Sequence, residues 1–380
     1  MKSKVCIRTF GCQMNVRDSE VIAGLAQANG YQLVDDEAKA DIVIFNTCSV
    51  RQHAEEKVWS AVGRCQANII GIVGCMANNY REAIFEKSPK VDFVVGTADT
   101  AKIPRILKEI EKHKKSPFEK KIYETDADFR DDEIYHTGFH LDREHAFVVI
   151  TEGCQNFCSY CVVPYVRGKL RSRRSEDIIK EIKQDLDSGI KKITLLGQNV
   201  NAYSDGAVDF IKLIALVNDI KGLREFSFVT SHPKDTSEAL FKAMANAERL
   251  KKYLHLPVQS GADVILKRMN RGYTRKYYLD LVEKYRTIVS NGALTTDIIV
   301  GFPGETMDDF EDTRRLVELV AFNAAFIFKY SPRPHTQAAS LQDDVPRLEK
   351  EKRHRIILEL QKDISKRMHS QPEAQEWCNE

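Results

Sequence analysis

The chain is 380 residues long, 43% hydrophobic and 29% charged, with 57 Lys and Arg against 55 Asp and Glu for a net charge of +2. This composition excludes disorder, collagen and coiled coil as the main architecture. At ~150 residues per domain it leaves room for two or three domains, and the near-neutral balance confines any nucleic-acid contact to local patches. No apolar run, Ala324–Phe328 included, approaches the ~20 residues of a membrane span. Arg8 interrupts the N-terminal apolar residues, so no secretory signal is expected and the expected compartment is the cytoplasm, away from membranes. Nine cysteines are odd in number and too few for a disulfide scaffold; they point to metal or redox chemistry.

Over residues 1–112, short apolar runs alternate with amphipathic stretches. Strands are predicted at Val5–Phe10, Asp41–Asn46, Ile69–Gly74 and Asp92–Gly96, with helices at Ser19–Ala28, Ala54–Arg64, Tyr80–Lys87 and Ala101–Lys112. That alternation predicts a doubly wound parallel sheet. Residues 113–142 read as a charged linker, because 21 of the 45 residues from 101 to 145 are Asp, Glu, Lys or Arg.

Residues 143–340 resume the alternation. Strands are predicted at Ala146–Thr151, Lys192–Leu196, Glu225–Val229, Tyr253–Val258, Leu294–Val300 and Ala325–Tyr330. Helices are predicted at Glu176–Asp187, Phe210–Asp219, Glu238–Ala245, Lys276–Val289 and Met307–Leu319. Six such units in ~190 residues suit a partial (β/α)6 barrel, since eight usually take ~250. Residues 341–380 are read as a helix and tail; Ile356, Leu360, Ile364 and Met368 mark the apolar face of a helix over Arg347–Met368. The expected fold class is therefore α/β, a doubly wound sheet domain followed by a partial barrel.

Cys154, Cys158 and Cys161 place three thiols in eight residues directly after the first barrel strand. Such a set can hold three irons of a [4Fe–4S] cube and leave the fourth open, or hold structural zinc with a distant fourth ligand. Placement at the C-terminal end of a barrel strand favours the cluster. Cys12, Cys48 and Cys75 each follow a predicted strand of the first domain, where ligands collect in open α/β sheets. A lone cysteine there would read as a small core residue; three in one topological position read as one site. Cys6, Cys65 and Cys378 show no such pattern and receive no function.

Gly153–Cys161 matches the CxxxCxxC signature of the radical S-adenosylmethionine (SAM) enzymes. With Gly11–Asn15, Asn46–Arg51, Val163–Gly168 and Val300–Glu305, the chain resembles the radical SAM methylthiotransferases, and within them the MiaB-type tRNA enzymes, over roughly residues 3–365. The resemblance implies that Cys154, Cys158 and Cys161 hold a cluster whose open iron chelates SAM, and that Cys12, Cys48 and Cys75 hold a second, sulfur-donating cluster. It implies methylthiolation of carbon 2 of N6-isopentenyladenosine beside the anticodon, with two SAM molecules per product. A radical suits that bond, an unactivated C–H that no side-chain base deprotonates at neutral pH. Further SAM contacts carried over are Gln198, Asn199, Ser231, Gln259 and Asp297, all near C-terminal ends of predicted strands, with a satisfied loop polar group as the alternative for each. Phe157 and Tyr160 are expected to cover the cluster or stack on SAM, the alternative being barrel-mouth packing.

Two departures accompany the resemblance. No run of strands follows Arg347–Met368 to build the RNA-binding TRAM β-barrel with which such enzymes usually end, so the expectation is either a truncated sequence or RNA binding without that module. His335 stands where the family usually has glycine, which is expected to alter a turn.

Arg167, Lys169, Arg171, Arg173 and Arg174 put five basic residues in eight after the cysteine loop, where a phosphate backbone would meet them; a solvated helix N-flank is the alternative, though it would prefer acids. Lys267, Arg268, Arg271 and Arg275 form a second basic candidate. The implied partners are the tRNA anticodon stem-loop, an electron donor such as flavodoxin or ferredoxin, and sulfur- or cluster-supply proteins, acting on a monomer. Competing readings are methylthiolation of N6-threonylcarbamoyladenosine or of a ribosomal protein, and, in a different class, a non-catalytic zinc-dependent RNA-binding protein. A two-cluster electron carrier fails to account for the six βα units and the basic loop.

Overall fold

The computed structural model describes residues 3–49, 52–113, 121–125 and 130–369; Val50, Arg51 and Cys378 lie outside the described residues. The chain divides into two compact units, Met1–Gln155 with Val162–Leu196, and Asn156–Cys161 with Gly197–Glu380.

The first unit begins with β1 (Lys4–Thr9), α1 (Gln13–Ala28), β2 (Gln32–Leu33), β3 (Ile42–Thr47), α2 (Gln52–Arg64), β4 (Ile69–Gly74), α3 (Cys75–Tyr80), α4 (Ala83–Lys87), β5 (Phe93–Val95), α5 (Ile103–His113) and β6 (Ile122–Glu124). Its six strands form one parallel sheet in the order β2-β1-β3-β4-β5-β6. Strand alternation assigns the two faces. Ile42 and Ile44 pack with Ile22 and Ala26 of α1 and Ile106 and Leu107 of α5, whereas Val43 and Phe45 pack with Val58 and Val62 of α2 and Met76 of α3. Helices cover both faces, so β3 and β4 are buried throughout and β3 is apolar as far as Phe45, as buried parallel strands are. The doubly wound expectation holds.

Two elements depart from the sequence prediction. Helix α1 starts at Gln13 rather than Ser19: the polar residues Asn15, Arg17 and Asp18, ahead of the predicted start, are buried on it. The charged segment is more than a linker: β6 adds an edge strand against β5, and Arg130 and Tyr135 are buried.

The first unit continues with β7 (His145–Val149), β8 (Thr151–Glu152), α6 (Val163–Val166), β9 (Arg171–Ser172), α7 (Ser175–Asp187) and β10 (Lys192–Leu196). β7 and β10 pair in parallel, and β8 pairs with β9 in a short antiparallel ladder.

The second unit holds α8 (Phe210–Asn218), β11 (Glu225–Phe228), α9 (Glu238–Asn246), β12 (Tyr253–His255), α10 (Asp263–Arg268), α11 (Arg275–Ile288), β13 (Ala293–Val300), α12 (Met307–Val320), β14 (Ala324–Lys329) and α13 (Arg347–His369). β12, β13 and β14 form a parallel sheet. Along the chain, β7 and β10 to β14 supply the six strands expected of the partial barrel, five of them within two residues of prediction. β12 stops short of Val258 because Pro257 has no N–H for the ladder and the Val258 N–H donates to Thr296 Oγ1 at 2.9 Å.

Of the row predicted for α13 only Ile364 is buried, and the rest of the inward face is a different one. Arg353, Ile357, Gln361 and Ile364 face inward, because Arg353 pairs with Glu305 at 2.6 Å and Gln361 donates to the Phe322 carbonyl at 2.8 Å. Two polar side chains with built partners outweigh Ile356 and Leu360, which stay half-buried. His335 keeps a left-handed backbone, φ 68°, where glycine would be unstrained. Among the described residues no helix is long and apolar enough to cross a membrane.

Buried charge binds the first unit together. Glu181 of α7 accepts from Arg17 at 3.0 Å and from Arg173 at 2.6 Å. Asp18 accepts from Arg130 at 2.6 Å and Arg167 at 2.8 Å. His140 bonds Asp185 at 2.8 Å. Despite the cost of burial, Asp185 and Glu20 hold its pKa up, at about 9 against an ordinary 6.5. The stability His140 contributes is therefore complete below about pH 6.5 and lost as pH rises through 9, a loss of no more than about 3 kcal/mol. Urea denaturation at pH 6 and pH 9.5 is expected to show that loss in the wild type and a flatter profile in His140→Gln.

Candidate active site

Parallel register brings the ends of β1, β3 and β4 side by side, with Thr9 opposite Asn46 and Thr47 opposite Gly74. The next residues are the cysteine turns. Cys12 is the N-cap of α1, its N–H donating to Asn15 Oδ1 at 3.3 Å, and a helix N-terminus favours negative charge. Asn15 Nδ2 donates to Asn46 Oδ1 at 3.2 Å and to the Thr47 carbonyl at 3.1 Å, so the Cys12 turn is stitched to the strand that ends in Cys48. The Met76 N–H donates to Thr47 Oγ1 at 3.3 Å, tying in the Cys75 turn. Glycines make these approaches possible. A Cβ on Gly11 would lie 2.7 Å from Cys48 Cβ, and one on Gly74, at φ 91°, would lie 2.7 Å from the Thr47 carbonyl oxygen. Asn15 and Asn46 belong to the motifs that carried the resemblance, but the sequence reading assigned them no role of their own.

Cys75 packs against Val162 and against Val166 of α6, and Arg167 follows that helix directly. Burial pushes the Cys75 thiol up, while the Arg167 guanidinium pulls it down by charge and hydrogen bonding. The thiols of Cys12 and Cys75 and the Arg167 cation act on one another electrostatically, and thiolates bound to an iron–sulfur cluster are anionic. Cys6 and Cys65 instead lie within an apolar cluster.

Gly153, at φ 69°, opens the second cysteine loop; a Cβ there would strike the Lys169 carbonyl oxygen at 2.2 Å. The Cys154 N–H donates to the Gly168 carbonyl at 3.1 Å. Further along, the Cys161 N–H donates to the Cys158 carbonyl at 2.9 Å. Arg271, buried, donates to Cys158 Sγ at 3.2 Å, to the Pro257 carbonyl at 2.7 Å and to the Tyr160 hydroxyl at 3.3 Å. It is therefore part of this site and not of a basic surface patch. His232 Nδ1 accepts from the Lys234 N–H at 3.2 Å, which leaves the neutral ring's proton on Nε2, 3.9 Å from Cys158 Sγ. Burial, Arg271 and Lys234 hold its pKa down at about 2, so the ring is neutral at physiological pH.

On the loops that follow β10, β11 and β12, three buried side-chain atoms have no partner: Asn199 Oδ1, Ser231 Oγ and Gln259 Oε1. Their loops are built against the same residues. Asn199 Nδ2 donates to Asp235 at 2.6 Å, Asn201 exchanges hydrogen bonds with the His232 backbone, and Tyr273 donates to the Val258 carbonyl at 2.9 Å. Thr230 and Gln259 sit at φ 71° and 74°, strain of about 1–3 kcal/mol each that clusters at ligand sites. Two open acceptors and a hydroxyl suit a ligand carrying an ammonium group and hydroxyls.

The other candidates fare differently. Gln198 is half-buried. Asp297 is already paired with His255 at 3.3 Å. Tyr160 packs with Phe302 and Tyr330, whereas Phe157 is exposed, at φ 46°. The five-residue basic run is not one solvent face. Arg173 is buried on Glu181, Arg167 on Asp18, and Arg171 pairs with Asp132 and Glu152; Lys169 and Arg174 alone in the run are exposed.

Gly74→Ala is expected to cost about 2–4 kcal/mol through clash and backbone strain, seen as a lowered urea midpoint. Ser231→Ala should instead raise the ligand-free midpoint by about 1 kcal/mol, because it removes an unpaired buried hydroxyl.

Residues 148–317 match the model of the radical SAM superfamily, and residues 4–96 match that of the uncharacterized protein family UPF0004. Among relatives, the tRNA-2-methylthio-N(6)-dimethylallyladenosine synthase of Carboxydothermus hydrogenoformans is 42% identical over 97% of this chain and 85% of that protein. The Clostridium perfringens (strain SM101) protein of the same name is 44% identical over 91% and 79%. Among solved structures, the radical S-adenosylmethionine methyltransferase TsrM from Kitasatospora setae aligns with a TM-score of 0.61 at 12% identity, over 89% of this chain and 74% of that one, a likeness of fold. With identity at this level over nearly the whole chain, the protein belongs to the tRNA-2-methylthio-N(6)-dimethylallyladenosine synthase family of radical SAM enzymes.

Proposed function

We propose that this chain adds a methylthio group to carbon 2 of N6-isopentenyladenosine beside the tRNA anticodon, consuming two SAM molecules per product. The observation that carries this reading is the coexistence of two separately built cysteine sets, one on a doubly wound sheet and one on a barrel-strand loop, in a chain 42% identical to a tRNA-methylthiolating relative. Cys12, Cys48 and Cys75 would hold one [4Fe–4S] cluster, and Cys154, Cys158 and Cys161 the other. Bound there, the clusters and SAM supply hydrogen-atom abstraction and a transferable sulfur, chemistry that side chains lack.

The protein's own work is positioning and shielding. Arg271 and the neutral His232 hold Cys158 by hydrogen bonding, and the ring gains no second proton at neutral pH. Asn199 Oδ1, fixed in direction by the Asp235 bond to its amide nitrogen, and Gln259 Oε1 are acceptors for the SAM ammonium and ribose hydroxyls; Ser231 supplies a hydroxyl. Tyr160 walls the site by packing. An electron donor of the flavodoxin or ferredoxin class, a sulfur supply and a cytoplasmic setting complete the reading. From residues 167–174, contact with the tRNA backbone falls to Lys169 and Arg174.

After anaerobic reconstitution, the wild type is expected to hold about eight irons, and a Cys12/Cys48/Cys75→Ala variant about four. Zinc in their place, or four irons in both proteins, overturns the two-cluster reading. Lys169→Ala with Arg174→Ala is expected to lower the salt slope of tRNA binding by about 1.5, read by titration at several salt concentrations. An unchanged slope removes these two residues from the interface.

A further inference from the structure

The segment between α10 and α11 carries a buried charge with no charged partner. Arg271 is 4% exposed. Its Nε donates to the Tyr273 hydroxyl at 2.9 Å and its Nη2 to the Pro257 carbonyl at 2.7 Å. Nη1 donates to Cys158 Sγ at 3.2 Å and to the Tyr160 hydroxyl at 3.3 Å. Among the described residues no carboxylate pairs with this guanidinium. Arg17, Arg130, Arg173 and Arg353 are as deeply buried, and each has a carboxylate within 3.0 Å. On the loop that carries His232, the charged side chains are committed to neutral amides: Lys234 donates to Asn156 Oδ1 at 2.8 Å, and Asp235 accepts from Asn199 Nδ2 at 2.6 Å.

The residues just before Arg271 also clamp the cysteine loop. The Ser159 N–H donates to the Met269 carbonyl at 3.0 Å, and the Ser159 hydroxyl donates to the Arg268 carbonyl at 2.8 Å. Asn270, left-handed at φ 56°, donates from Nδ2 to the Phe157 carbonyl at 3.0 Å. Both neighbours of Cys158 are therefore pinned to the chain that presents Arg271, so the contact to Cys158 Sγ is fixed by backbone on each side.

Desolvating a guanidinium is costly unless negative charge offsets it. Two hydroxyls and a carbonyl offer dipoles and no charge, whereas Cys158 is the partner that iron binding converts to an anion. Net charge and hydrogen bonds to the sulfurs are among the factors that set the potential of an iron–sulfur cluster.

We propose that Arg271 is a positioning residue for the cluster held by Cys154, Cys158 and Cys161: its guanidinium hydrogen-bonds and balances the Cys158 thiolate, and so sets how readily that cluster accepts an electron. This rests on the two-cluster reading above and extends it. The donor of the flavodoxin or ferredoxin class loses one electron and the cluster gains it, with no atom transferred.

The test is potentiometry followed by electron paramagnetic resonance, without SAM, in the Cys12/Cys48/Cys75→Ala background, where only that cluster is assembled. Arg271→Gln is expected to move the midpoint to more negative potential and to speed iron loss to a chelator several-fold. Arg271→Lys, which keeps the charge, should recover most of the midpoint shift. Tyr160→Phe removes the other acceptor of Nη1 and is expected to move the midpoint the opposite way. A packing role predicts neither a dependence on charge nor a reversal of sign. An unchanged midpoint in Arg271→Gln, an Arg271→Lys shift as large as that of Arg271→Gln, or a negative shift in Tyr160→Phe overturns the proposal. Should Arg271→Gln fail to fold, the other two variants decide: Arg271→Lys near the wild-type midpoint with Tyr160→Phe above it supports the proposal, and any other result overturns it. Absence of about four irons before any of these substitutions overturns the cluster reading instead, so the two failures are distinguishable.

Discussion

One buried carboxylate, Asp18, sits between Arg130 and Arg167, and much of the first unit's organisation follows from it. The side chain comes from α1, the two arginines from the charged segment and from the turn after α6. None of these charges is stable in a core alone, and each is tolerable because the others are there. Their mutual dependence ties three segments distant in sequence to the ends of β1, β3 and β4. The Glu181 carboxylate of α7 does the same for Arg17 of α1 and Arg173, which follows β9.

The second unit uses polar groups differently. Around Cys158 the donors are spent: Arg271, Tyr273 and Asn199 Nδ2 all have partners. The acceptors of Asn199 and Gln259 and the Ser231 hydroxyl are not spent. These three atoms lie on loops that also carry left-handed backbone at Thr230 and Gln259.

Several of these features were legible in the residues. Strand and helix positions followed from apolar periodicity, because a side chain's face depends only on its place in the local repeat. The cysteine sets were legible for a related reason: CxxxCxxC is local, and Cys12, Cys48 and Cys75 shared a position relative to their strands. Asn199, Ser231 and Gln259 were named from resemblance, and each proves buried with an open polar atom. The start of α1 was missed because charged residues on a helix read as solvent-facing, and the buried row of α13 was missed because Arg353 and Gln361 read as surface.

What the sequence determined by itself was therefore the order of elements, the α/β class and the two cysteine sets, all properties of short windows. Which charges are inside was decided only by tertiary structure. Arg167 and Lys169 are two residues apart and chemically alike, yet one is buried and the other is exposed. The difference is Asp18, 149 positions away in the chain, since a charge enters a core only where a partner of opposite sign is already built.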